Sequence, residues 1–163
     1  MTRAIAAAAL AGLLAGCAAA PEGPEPARVA HEQTIRPECY TVDLFTPAPI
    51  ETAGEEVPER YAAYLGRWGG GAWDGEWCHD LHVLKVSEDG RATVVETHAP
   101  YAPWGKVATA YRRNGRIGED GRLRLNYGPT RVEYWVEDGA LYGVRRESGD
   151  RERLIALSLE SET

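Results

Sequence analysis

Beyond residue 66 the chain alternates apolar and polar positions with a period of two. His79, Leu81 and Val83 stand opposite Asp80, His82 and Leu84. Leu123, Leu125 and Tyr127 stand opposite Arg122, Arg124 and Asn126, and Val132, Tyr134 and Val136 opposite Arg131, Glu133 and Trp135. Such alternation marks strands with two unlike faces. Turn signals recur at Glu88-Asp89-Gly90, Glu119-Asp120-Gly121, Glu137-Asp138-Gly139 and Ser148-Gly149-Asp150. Asp-Gly favours a tight hairpin because both central positions tolerate positive φ. With a last strand over residues 153–159, the pattern predicts seven or eight strands, mostly hairpin-linked, with no helix between them. Before them, residues 57–65 predict the one good helix after the N-terminus, with Pro58 in its first turn and Gly66 at its end. Strands at this spacing fit an antiparallel meander closed into a barrel, which has no open edges.

Composition agrees. A chain of 163 residues makes one domain the natural expectation, and 44% hydrophobic content excludes wholesale disorder. Eighteen glycines and five tryptophans beside a single Met1 and a single Phe45 suit a sheet with tight turns better than a helical bundle. A net charge of −7 argues against a nucleic-acid partner, which requires a basic surface. Residues 18–60 hold nine acidic side chains, three arginines and seven of the ten prolines, so most of the acidity belongs to this stretch. A proline-rich, charged segment reads as an extended spacer. Within it, residues 39–45 alternate and predict an edge strand docked on the domain.

The N-terminus reads as an address. Arg3 precedes an apolar run of 11 residues, 4–14, too short for a bilayer span of about 20. Leu14-Ala15-Gly16-Cys17 follows and resembles the lipobox of bacterial lipoproteins. The resemblance implies cleavage before Cys17 and its lipidation; Ala18, where an aspartate would retain the protein, implies the outer membrane, facing the periplasm. Several acyl chains anchor a protein stably where one does not. A plain signal peptide cleaved near Ala18-Ala19-Ala20 is the alternative. The chain then divides into a signal peptide (1–16), a lipidated cysteine with an acidic tether (17–56) and a folded domain (57–163).

Two cysteines remain, Cys39 and Cys78. In an oxidising compartment such a pair is expected to form a disulfide, the alternative being two buried thiols. Closing a loop of that length stabilises by roughly 4 kcal/mol on chain-entropy grounds.

Gly66-Arg67-Trp68, after a short helix and at the first strand, resembles the N-terminal signature of the calycin superfamily, the lipocalins and avidins among them. The resemblance covers about 100 residues and implies that Trp68 closes one barrel end. Residues 68–86 also resemble small lipocalin-like modules of exported bacterial proteins. The Gly69-Gly70-Gly71 run and the repeated Trp68, Trp73 and Trp77 depart from the lipocalin pattern. The expected fold is therefore all-β: a small antiparallel up-and-down, lipocalin-like barrel of about seven or eight strands behind a short helix.

Eight strands enclose an interior either filled by side chains or wide enough for one small ligand. Trp68, Trp73, Tyr101, Trp104 and Trp135 are the candidate contacts for a ligand or partner, with Trp68 also expected in the core. Tyr101 and Trp104 lie on a proline-flanked loop that reads equally as an exposed contact surface or as a plug over the barrel mouth. Catalytic motifs are missing: there is no Gly-x-Ser-x-Gly elbow, and Gly69-Gly70-Gly71 lacks the Lys and Ser/Thr of a phosphate loop. His79 and His82 fall on opposite strand faces and cannot share a metal. Glu96 and His98 share a face, and His82 can come near them across a hairpin; the three offer a metal or acid-base site but read most simply as a polar outer face. Arg112-Arg113 and Arg145-Arg146 read as solvated doublets. No enzyme activity, cofactor or metal is expected. The expected function is a membrane-anchored barrel that binds a small hydrophobic ligand or envelope component. The alternative is a periplasmic interaction or inhibitor module acting through surface loops. For the latter, Gly66-Arg67-Trp68 with Cys78-His79-Asp80-Leu81 resembles the start of calycin-type metalloprotease inhibitors, although there the second-strand cysteine pairs within the domain.

Overall fold

The structure, a computed structural model, describes residues 26–39, 49–148 and 151–160. The signal segment, Cys17 and, of the strand expected over residues 39–45, all but Cys39 lie outside the described residues.

Eight strands run up and down in sequence order and close into one antiparallel barrel. They are β1 (Gly66–Trp73), β2 (Trp77–Val86), β3 (Arg91–His98), β4 (Thr109–Ile117), β5 (Leu123–Tyr127), β6 (Thr130–Glu137), β7 (Ala140–Arg146) and β8 (Glu152–Leu159). The Asp-Gly hairpins fall where the sequence places them, with Asp138 and Gly139 both at positive φ between β6 and β7. Two short helices precede the barrel, α1 (Pro26–Glu32) and α2 (Glu59–Ala62). The helix expected over residues 57–65 is thus one turn long. The other helix, α1, was not expected: it lies in the stretch read as an extended spacer. Burial against the barrel wall supplies what seven residues of local propensity do not. His31 is 3% exposed, with Nε2 3.1 Å from the carbonyl oxygen of Gly143 and its ring edge-on to Trp135 and Tyr142.

One end of the barrel is shut. The Trp68 indole N–H donates to the carbonyl of Tyr64, and the Tyr64 hydroxyl reaches the carbonyls of Gly121 and Tyr134 across the opening. Tyr61, Tyr64 and Trp68 pack with Val86, Ala92, Ile117, Leu123 and Leu141 beneath α2. Burial of these rings and aliphatic chains, at about 25 cal/mol per Å², is the main stabilising term. Toward the middle, Trp73, Leu81, Val94, Leu125, Val132, Tyr134 and Ile155 fill the interior. Tyr134 lies over Gly143, where a Cβ would come within 2.7 Å of its ring.

The barrel seam explains the glycine run. β1 and β8 pair at Trp68 and Gly69, and then the register of β1 shifts between Trp68 and Gly71. Residues 34–36 enter the gap. The Ala72 N–H donates to the Thr34 carbonyl, the Ala156 N–H to the Thr34 hydroxyl, and the Arg36 N–H to the Gly70 carbonyl. Gly71 lets this happen, since a Cβ there would sit 2.1 Å from the Ala156 carbonyl oxygen. Cys39 is joined to Cys78 on β2, as expected from the cysteine count. Among the described residues, the bond holds the segment that precedes Cys39 to the barrel.

Candidate functional site

The end opposite α2 is built differently. The inward-facing rows that are apolar near α2 turn polar here: Ala92 and Val94 give way to Glu96 and His98, Leu81 to His79, Leu141 and Gly143 to Arg145, Ile155 to Arg153. These strand ends surround a pocket of about 420 Å³ lined by Trp77, His98, Lys106, Val107, Thr109, Tyr111, Arg113, Tyr127, Thr130 and Arg145.

Glu96 and His98 therefore do share a face, but it is the interior and not the outer surface. Glu96 is fully buried and His98 4% exposed. His82 does not approach them; it pairs with Val95, on the outer face, and His79 stands across from His98 instead. The arginine doublets are split in the same way, one member of each turning inward. Arg113 Nε donates to Glu96, and its guanidinium lies 3.7 Å from the Tyr127 ring centre. Arg145 is 8% exposed and donates to the Tyr127 hydroxyl and to Glu147. Tyr127 in turn donates to Glu96 over 3.3 Å. Buried charges persist only when paired in this way. Burial pushes the Glu96 carboxyl above its ordinary range, against the opposing pull of Arg113 and Arg145.

The two inward histidines differ in one decisive respect. His79 has both ring nitrogens occupied: Nδ1 lies 2.9 Å from the Thr97 carbonyl and Nε2 2.9 Å from the Tyr134 hydroxyl. The carbonyl can only accept, so Nδ1 carries the proton and the tyrosine donates to Nε2. Burial lowers the His79 pKa to about 3, so the ring is neutral. His98 stacks between His79 at 4.5 Å and Trp77 at 4.4 Å, yet both of its ring nitrogens are buried without a hydrogen-bond partner among the described residues. Burial first, then the neighbouring His79 ring and the charges of Arg145, Arg113 and Lys106, hold it well below the ordinary histidine range. A neutral imidazole offers one donor and one acceptor. Leaving both unmade costs about 1–3 kcal/mol each.

The five candidate contact residues do not come together. Trp68 and Trp73 belong to the packed interior. Trp135 lies on the outer wall, stacked on Tyr142 beside α1. Tyr101 and Trp104 fold over one side of the mouth, edge to face at 4.5 Å. Trp104 covers the Arg153 guanidinium at 3.7 Å and meets Trp77 edge-on. The Tyr101 hydroxyl donates to Glu76 across the opening. Both rings are half-buried, with the loop residues between and after them exposed. Residues that sequence reasoning missed are Trp77, Tyr127, Arg113, Arg145 and Lys106.

A second hollow, about 490 Å³, runs along the outer wall between α1 and β6–β8. Its arginines already have partners: Arg28 with Asp138, Arg122 with Glu133 and Arg146 with Glu152. Among the described residues no cluster of three or more His, Cys, Asp or Glu side chains is arranged to hold a metal ion. No protein-family model, curated protein or solved structure matches the chain.

Proposed function

We propose that this protein is a lipid-anchored binding module of the cell envelope, with a calycin-like barrel that holds a small ligand or envelope component in its open end. The observation that carries the reading is His98: a buried side chain with both polar atoms unpaired, facing a pocket of ligand size. The barrel axis is filled by Trp73, Tyr134 and their neighbours, so the ligand belongs at the mouth and not in a deep apolar cavity. This shifts the expected ligand from purely hydrophobic to one with a polar part. The lipobox at residues 14–17 supports the anchor, with Cys17 as its attachment point.

Native mass spectrometry of the protein purified from its host tests the binding role. A retained small molecule should be lost in Thr109→Trp, which fills the pocket, while a ligand that persists in this variant overturns the location. Metabolic labelling with palmitate tests the anchor: label absent from the chain, or unchanged in Cys17→Ser, removes it. A protein partner bound at the same rim is the second reading, favoured by Val107, 71% exposed, and Tyr111, 46% exposed, beside the mouth. Binding to an envelope protein that Thr109→Trp leaves intact and Val107→Asp abolishes would establish it.

A further inference from the structure

We infer that the mouth pocket selects a small organic anion, a carboxylate or phosphate group on a flat apolar body, and that Lys106, Arg113 and Arg145 receive the charge. The inference rests on the mouth being the ligand site and adds the ligand's chemical class.

Three features converge. The first is the charge of the wall. Among the described residues its lining carries three cations and no acidic side chain. Two carboxylates beside these arginines are already engaged: Glu96 takes Arg113 Nε, and Glu147 takes Arg145 Nε. These bonds orient the guanidiniums while leaving part of each planar fork without an assigned partner among the described residues. A guanidinium fork matches a carboxylate or phosphate in geometry as well as charge. Lys106 stands at the rim, its ammonium 5.9 Å from the Trp77 ring centre.

The second feature is the aromatic lining. Trp77, Tyr111 and Tyr127 border the same space, and Arg113 lies over both tyrosine rings, at 4.7 and 3.7 Å. Aromatic walls with a few convergent polar groups favour a ligand with a planar apolar body. The third is His98 at the pocket floor, which supplies a donor and an acceptor to a neutral polar group of the ligand. A bare inorganic anion would meet the cations but leave the aromatic walls and the imidazole without a complement.

The full soluble chain without its lipid is titrated with four probes of one shape: benzoate, phenyl phosphate, benzamide and benzylamine. Binding is followed by calorimetry and by the His98 ring signals in NMR. At least one of the two anions should bind ten-fold or more tightly than benzamide and move the His98 signals. Lys106→Gln should weaken that anion about five-fold, and Lys106→Glu more than ten-fold. Lys106 is exposed, so both variants fold. If benzamide or benzylamine moves His98 as readily as the anions, the pocket stands and the anionic class falls. If no probe moves His98 in the folded chain, the pocket reading falls with it.

Discussion

His79 and His98 lie ring against ring inside the barrel, and burial keeps both below the ordinary histidine range. The consequence for stability has a definite sign. An unfolded histidine takes up its proton near pH 6.5, whereas the folded rings resist it, His79 down to about pH 3. Their contribution is complete above pH 6.5 and is lost as the pH falls below it, by about 1.4 kcal/mol per pH unit for each ring. Glu96 acts in the opposite sense: its raised pKa favours the folded state as the pH falls from that raised value toward the unfolded one, and it softens the slope there. Urea unfolding should therefore show a loss of about 2–3 kcal/mol between pH 7.5 and 5.5, roughly halved in His98→Gln. A flat profile in that window would contradict the neutral stacked pair. Tyr134→Phe tests the other partner: His79 Nε2 loses its only donor, and the buried acceptor should cost about 1–3 kcal/mol.

The elements are marginal one by one and rely on how they are joined. At the β1–β8 seam, Thr34 bridges two strands that pair directly only at Trp68 and Gly69. Gly71→Ala would drive a methyl into the Ala156 carbonyl, which is backbone and cannot swing away. We expect a loss of about 1–3 kcal/mol or more, read as a lower urea midpoint. The Cys39–Cys78 bond spans 39 residues and pins the same segment. Reducing it should cost about 4 kcal/mol, a fall in Tm of roughly 10 °C, and should speed amide exchange at Ala72 and Ala156 before the rest of the barrel. Uniform exchange would show that the bond serves global stability without holding the seam.

At the scale of the molecule the barrel has two unlike ends. The end under α2 is sealed by Tyr61, Tyr64 and Trp68, while the other is lined by charge and half covered by the loop that carries Trp104. Trp104 is partly buried, so Trp104→Ala should cost only about 1–2 kcal/mol. The same loop carries Gly105, Lys106 and Val107 on the pocket rim, and ligand affinity should fall more than ten-fold. A large drop in Tm with affinity unchanged would make the loop a structural plug alone.

Much of this architecture was legible in local signals. Each Asp-Gly turn is set by its own few residues, and successive hairpins place each strand beside the next, so the order and antiparallel sense follow from the sequence by itself. The count of seven or eight was closed at eight only by the structure. The cysteine pairing follows from there being two candidates beyond residue 17. What alternation cannot supply is which of two similar faces turns inward. In β3, Val94 and Val95 make both faces equally apolar; β4 has no apolar face before Ile117; β7 sets Leu141 against Tyr142. The placement of Glu96, His98, Arg113 and Arg145 was therefore undetermined until the sheet curved and the strands were locked in register. Tertiary structure also decided the seam, because the contact of Thr34 with Ala156 joins residues 122 apart, and no local preference encodes so distant a pairing. Period and turns wrote the strands; closure of the sheet chose the inside.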